Sequence, residues 1–356
     1  MTMSRRAIGL ACAALATAGL AACSGGSKPS STPTTAVPTT SMSTPVTSSS
    51  APAQPAAVNP FTGEGPVPKS PTVIVKIDDT AAGRPQVGID KADIVYVEAV
   101  EGGLTRLAAV FGSAKPTTVG YVRSTRPSDP DLFLQFGKIT EAYSGGAHDS
   151  LPRVRRSGIT SWSNDAGAAY YSRQSHPGDH GYINLVLNVR KVAEHVKTPR
   201  PKSIGWTFNP SLAGLSTTPA PKISTTVSGS YAPGAGTPVT FRWSARLKKY
   251  VRYINGTPQK AADGKPIAAT NVIVQYCKVV SHPQDTDIAG NPSQFTYSVG
   301  SGKVLVFRQG RRIDGTWSRP KQSAGTTLRT SAGKPLPLNP GNTWVVLATR
   351  GTPTTS

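Results

Sequence analysis

The chain has 356 residues, of which 39 are Lys or Arg and 18 are Asp or Glu, a formal net charge of +21 at neutral pH. Of its three cysteines only Cys277 lies beyond residue 23. An intramolecular disulfide framework and a clustered Cys/His zinc site are therefore excluded for the body of the protein.

The first elements in chain order are a leader and a tether. Arg5 and Arg6 precede an apolar run from Ala7 to about Gly19, too short to span a bilayer as a stable helix. The run ends in Leu20-Ala21-Ala22-Cys23, small residues set directly before a cysteine. A lipoprotein signal peptidase needs that arrangement, because the thiol takes a diacylglycerol before cleavage leaves Cys23 as the new N-terminus. Residues 1–23 are thus expected to be a lipoprotein signal peptide. The lipid on Cys23 is expected to hold the protein at the outer face of the cytoplasmic membrane. Residues 24–58 are almost entirely Ser, Thr, Pro, Ala and Gly with one charge, Lys28. They offer too little apolar surface to offset the entropy of ordering and are expected to serve as a disordered tether. The Ala/Pro/Thr-rich style is that of a high-GC Gram-positive organism.

The body divides by charge. Residues 59–200 hold 17 Lys/Arg and 14 Asp/Glu, a net of +3, whereas residues 201–356 hold 19 and 4, a net of +15. In the first half Thr72–Ile77, Ile94–Val100 and Thr105–Phe111 are short apolar runs rich in β-branched residues and predict strands. Asp131–Thr140 and Asn188–Val196 place Leu132, Phe133, Phe136 and Ile139, then Val189, Val192 and Val196, on single helical faces. In the second half short strands are predicted at Phe241–Trp243, Tyr250–Tyr253, Val272–Val274, Phe295–Val299, Val304–Phe307 and Trp344–Leu347. Asn255-Gly256, Asp263-Gly264, Gly300-Ser301-Gly302, Gln309-Gly310 and Asp314-Gly315 are read as the turns between them. Cys277, inside Asn271–Val280, reads as a packed core thiol. The expected fold class is α+β: a mixed α/β domain over residues 59–209, a linker over 210–222, and a basic β-rich domain over 223–352.

Several ordered motifs carry a resemblance. They are Asn59-Pro-Phe-Thr-Gly63, Ile77-Asp-Asp79, Ala82–Gly88, Ala92–Tyr96, Val100–Arg106 and Gly120–Pro127, followed by Asn271–Val274, Gly300–Lys303, Gly315–Trp317 and Asn342–Trp344. Together they resemble the YerB-like lipoproteins, a two-domain family classified under a domain of unknown function, across nearly the whole body. The resemblance implies fold and location and carries no activity.

Function must then be read from side chains. Asp78, Asp79, Asp90, Asp93, Glu98 and Glu101 share one short span with Arg84, and Arg106, Arg123 and Arg126 follow closely. The guanidinium fork matches carboxylate or phosphate, so Arg84, Arg106, Arg123, Ser124 and Arg126 are candidate contacts for an anionic ligand. Pairing of the same arginines with the nearby carboxylates is the structural alternative. Asp78, Glu98 and Glu101 are candidate catalytic residues, because two converging carboxylates are what a glycoside hydrolase uses. No nucleophile elbow, P-loop or dinucleotide fingerprint is present, no metal ligand set has convincing spacing, and no cofactor is expected. In the second half Arg242, Arg246, Lys248, Lys249, Arg252, Lys303, Arg308, Arg311, Arg312, Arg319 and Lys321 recur around the hairpins. Such a surface attracts anionic wall polymers or lipid headgroups. Trp243, Tyr250 and Tyr253 would suit nucleobase stacking, but export argues against a nucleic-acid partner. Oligomeric state is not encoded in any pattern. Two readings stand: a non-catalytic binding or scaffold lipoprotein for anionic envelope components, preferred because no catalytic pattern is specific, and a cell-wall polymer hydrolase or transferase.

Overall fold

The computed structural model describes residues 58–179, 181–229 and 236–356. The leader, Cys23 and the tether expected over 24–58 lie outside the described residues, apart from Val58. The described residues form one compact unit. Among the described residues no helix is long and apolar enough to cross a membrane.

The frame is a 12-stranded mixed sheet. Its first-half strands are Val73–Asp78, Ile94–Ala99, Thr105–Phe111, Thr140–Tyr143 and Thr160–Ser163. Its second-half strands include Asn271–Thr286, Gly300–Arg308, Arg311–Arg319, Thr327–Thr330 and Thr343–Thr349. The last of these lies between the halves, parallel to both neighbours, with Thr343 in register with Asn271 on one side and with Ile94 on the other. The halves that composition separates are joined by a continuous ladder.

Both faces of the sheet are covered, which is why its strands read as near-continuous apolar runs instead of clean alternation. Val73, Val75, Val95, Val97, Leu107 and Ala109 look to one side, onto Leu185, Val189 and Val192 and onto Ile223, Phe241 and Tyr250. The last three come from a five-stranded sheet built on Lys222–Val227, Thr237–Ser244 and Lys249–Ile254. Ile74, Tyr96, Ala108 and Val110 look the other way, onto Leu132, Phe133 and Phe136.

Several expectations change in detail. The helix read over Asp131–Thr140 is a short α turn, Asp129–Phe133, continued as 3-10 over Leu134–Phe136. It stops at Gly137, whose φ of +84° turns the chain away, and Thr140–Tyr143 then enters the sheet as a strand. Ile139 is buried from that connection and not from a helix face. The helix read over Asn188–Val196 forms as Val189–His195, with the Asn188 side chain accepting from the Lys191 amide at 3.0 Å. Asp314-Gly315 is no turn: it lies inside Arg311–Arg319, where Gly315 pairs with Val304 and Thr330. A Cβ at Gly315 would collide with the Arg329 carbonyl, so this glycine serves strand packing. Gly300-Ser301-Gly302 likewise begins a strand. Residues 210–222 are not a free linker. The Pro210 and Ser211 carbonyls accept from Arg308, and Thr218–Pro219 adds to the edge at Arg311 and Arg312.

Candidate functional site

The charged cluster forms because one row of the first-half strands breaks the apolar pattern. On the face holding Ile74, Tyr96 and Ala108, the next positions along the strands are Lys76, Asp78, Glu98 and Arg106. Registration sets Asp78 and Glu98 on either side of Arg106. The loop and helix above this row add Arg123, Thr125, Arg126 and Asp129.

Every candidate carboxylate is paired. Asp78 Oδ2 is 3.2 Å from Arg106 Nη1 and 3.1 Å from Arg123 Nε, while its Oδ1 accepts from the Thr80 amide and hydroxyl, both at 2.6 Å. Glu98 Oε1 is 2.6 Å from Lys76 Nζ, which also meets Asp129 Oδ1 at 2.8 Å. Asp129 Oδ2 accepts from Thr125 Oγ1 and from the Arg126 amide. Glu101 Oε2 is 2.6 Å from Arg126 Nη2, and its Oε1 accepts from Ser293 Oγ at 2.9 Å. On the opposite face Asp79 receives both Nη atoms of Arg252, at 2.8 and 2.7 Å, and the Thr105 hydroxyl at 2.7 Å. Arg84 donates to the Asp79 carbonyl and lies 3.9 Å from its carboxylate.

The electrostatics follow from burial. Lys76 is fully buried; desolvation pulls its pKa down, but attraction to Asp129 and Glu98 outweighs it and holds the ammonium above its ordinary value. Burial, then repulsion from Asp129, pushes Glu98 up to about 8 despite Lys76. Asp129 stays below the ordinary range, since Lys76 and its hydrogen bonds overcome the desolvation. Burial lowers Arg106 to about 10. Glu141, in register with Ile74 in the adjacent strand, is also fully buried and makes no hydrogen bond through either oxygen among the described residues; desolvation followed by Asp129 raises it well above the carboxylate range. The Thr125 hydroxyl donates to Asp129 at 3.0 Å.

The structure therefore brings Asp78, Glu98, Glu101, Arg106, Arg123 and Arg126 together as a largely buried ion-pair network, in which Glu98 Oε2 and the Nε atoms of Arg106 and Arg126 have no hydrogen-bond partner among the described residues. Arg106 and Arg126 are buried, whereas Ser124, Arg84 (21% exposed) and Arg123 (29%) reach solvent. Four surface clefts, including one of about 830 Å³ between residues 209–218 and the strands from Arg312 onward, are lined entirely by residues other than Asp78, Glu98 and Glu101. Sequence reasoning missed Lys76, Asp129 and Glu141. For Lys76 the signal was visible, a lone charge inside Val73-Ile74-Val75-Lys76-Ile77. Among the described residues no group of three or more His, Cys, Asp or Glu is placed to hold a metal. Cys277 is buried, which pushes its thiol up to about 12, as expected of a core residue.

The basic half needs one correction. Arg252, Arg308 and Arg319 are buried and structural: Arg252 pairs with Asp79, Arg308 donates to the carbonyls of Pro337, Pro210 and Ser211, and Arg319 to Leu132 O and Ser298 Oγ. The other Lys and Arg side chains of this half reach solvent. Its described acids give them little compensation. Asp263 pairs with Lys265 and Lys91, Asp314 with Arg312, Asp285 is buried and accepts from the Asp149 amide, and Asp287 holds its own turn. Of the aromatic residues read as stacking candidates, Tyr250 is buried, Trp243 packs on it, and Tyr253 lies under Arg242.

An α+β body with a β-rich second part, tied by one sheet and a buried ion-pair core, is the class of protein these features define. The chain belongs to the family described as "Protein of unknown function (DUF3048)": its N-terminal domain matches residues 61–201 and its C-terminal domain residues 227–345. The chain is 30% identical over 293 residues, 80% of its own length and 84% of the relative's, to "Putative lipoprotein YerB" of Bacillus subtilis (strain 168). The crystal structure of the YerB protein from Bacillus subtilis matches with a TM-score of 0.67 at 21% identity, covering 84% of this chain and 100% of that one, which shows the shared fold. The resemblance read from the ordered motifs holds, and with it the assignment to a lipoprotein family of unknown function.

Proposed function

We propose that this protein is a non-catalytic, lipid-anchored envelope protein that binds anionic wall polymer or lipid headgroups through the exposed basic surface of its second half. Cys23 supplies the anchor on the outer face of the cytoplasmic membrane. The observation that carries this reading is the asymmetry of compensation. In the first half the charge nearly balances, and Asp78, Asp79, Glu98, Glu101 and Asp129 are consumed in buried pairs. In the second, Arg242, Arg246, Lys248, Lys278, Lys303, Lys321, Arg329 and Lys334 are exposed and make no ion pair among the described residues. A patch of one sign attracts polyanions and is screened within about 10 Å at 0.1 M salt. Ligand contact by the first-half set is limited to the solvent-facing edges of Arg84, Arg123 and Ser124. Arg106 and Arg126 act as their support.

The test is co-sedimentation of the full-length protein with purified anionic wall polymer across a salt series. Retention is expected to fall steeply between 50 mM and 500 mM NaCl, and further in a variant carrying Arg242→Glu, Arg246→Glu and Lys248→Glu. Binding that ignores salt overturns the reading.

A further inference from the structure

Away from both the ion-pair core and the basic hairpins, the structure assembles a feature that neither uses. Trp162, at the edge strand Thr160–Ser163, and Tyr170 lie nearly parallel, with centroids 6.1 Å apart and planes 13° from coincidence. The exposed imidazole of His195 meets both rings edge-on, at 5.2 and 5.9 Å, and its Nδ1 is 3.3 Å from Tyr170 Oη. Tyr170 has φ +73°, a backbone conformation rare for an aromatic residue. Trp162 Nε1 donates to the Ala169 carbonyl at 2.9 Å and pins the loop that presents it.

Tyr170 is also one wall of a depression of about 270 Å³ whose other polar walls include Thr118, Ser172, Gln174 and Lys191. None of the Thr118, Ser172 and Gln174 side chains makes a hydrogen bond among the described residues. Lys191 Nζ stands 5.9 Å from the centre of the Tyr170 ring and makes no ion pair there. The site thus combines an amphipathic aromatic platform, uncommitted hydroxyl and amide groups, and one cation. Its volume falls just below the range for drug-sized ligands, which suits a single ring.

We propose that this depression binds one saccharide unit of an acidic glycan. The C–H face of a pyranose would lie on the Tyr170 ring, which the stacked Trp162 holds in place, its hydroxyls would reach Thr118, Ser172 and Gln174, and its carboxylate or phosphate would meet Lys191. Aromatic rings are suited to this because they bury apolar area while leaving polar tips free to pair. This site is separate from the basic surface and does not depend on it.

The test is titration of full-length protein in detergent with oligogalacturonate, whose sugars carry carboxylates, and with neutral chito-oligosaccharide, followed by calorimetry and tryptophan fluorescence. Saturable oligogalacturonate binding that persists at 0.5 M NaCl is expected. It should weaken at least tenfold in Trp162→Ala and in Tyr170→Gly, the latter a substitution the local backbone favours. Lys191→Met, at an exposed position, should remove the preference for the acidic sugar with its unfolding transition unchanged. The proposal is overturned if neither sugar binds, if binding survives Tyr170→Gly and Trp162→Ala undiminished, or if Lys191→Met leaves the acidic preference intact. Binding that vanishes at 0.5 M NaCl also overturns it, and would leave the polyanion reading of the basic surface standing.

Discussion

Lys76 shows how far a residue's role depends on what its neighbours bury. A lysine in mid-strand would ordinarily face water, but here its ammonium is enclosed with Glu98 and Asp129. Desolvating such a set is expensive and is repaid only while the geometry is complete. Lys76→Met leaves two carboxylates facing each other in a dry site, and is expected to lower stability by about 3–5 kcal/mol, read from urea unfolding. The same residues set a pH dependence. Glu98 and Glu141 titrate higher in the folded than in the unfolded chain, so their contribution is full below the ordinary carboxylate value of 4.5. For Glu98 it is lost as pH rises through about 8. Asp129 works in the opposite sense and Lys76 holds its proton beyond this window, so neither cancels the decline. The unfolding midpoint should fall between pH 5 and pH 9, and Glu98→Gln should flatten that slope. An unchanged slope in Glu98→Gln would place the titration elsewhere.

Elements formed where short-range rules sufficed. Thr105–Phe111 forms over the residues its apolar run marks, and Val189–His195 forms within the span its apolar face marks, capped by Asn188. Asn188→Ala should cost about 1 kcal/mol, measurable as a lowered melting temperature, because the Lys191 amide loses its acceptor. The expectation over Asp131–Thr140 was half right for a physical reason: the apolar spacing is genuine, but Gly137 ends the turn before the helix can lengthen. Asp314-Gly315 misled because Asp-Gly has the local chemistry of a turn, while its glycine is needed for the approach of Thr327–Thr330. Strand Asn271–Thr286 runs to 16 residues, beyond the run Asn271–Val280 that the sequence marks, because its later part pairs with Pro292–Tyr297.

On the scale of the whole molecule, the decisive piece is Thr343–Thr349. Placed between Ile94–Ala99 and Asn271–Thr286, it makes the late chain part of the early sheet. A fragment of residues 58–209 would leave Ile94–Ala99 as an unpaired apolar edge and strip Arg252 from Asp79. It is expected to lack a cooperative unfolding transition by circular dichroism, whereas residues 58–356 retain one. A cooperative transition in the shorter fragment would show that the first half folds without its partner strand.

Sequence alone carried the lipobox pattern ending in Cys23, the apolar runs that become the inner strands, the helical face over Asn188–Val196, the partition of charge and the ordered family motifs. Each of these is local, set by neighbouring residues or by simple composition. Only the tertiary structure decided which charges are spent in the interior. Arg252 looked like one more surface cation until chain folding set it against Asp79, 173 residues away. Asp78, Glu98 and Glu101 were open in the sequence to catalysis or to pairing with the arginines, and burial paired each of them. The reason is that desolvation and ion pairing depend on distances in space, and those are fixed by packing between segments that are remote in the chain.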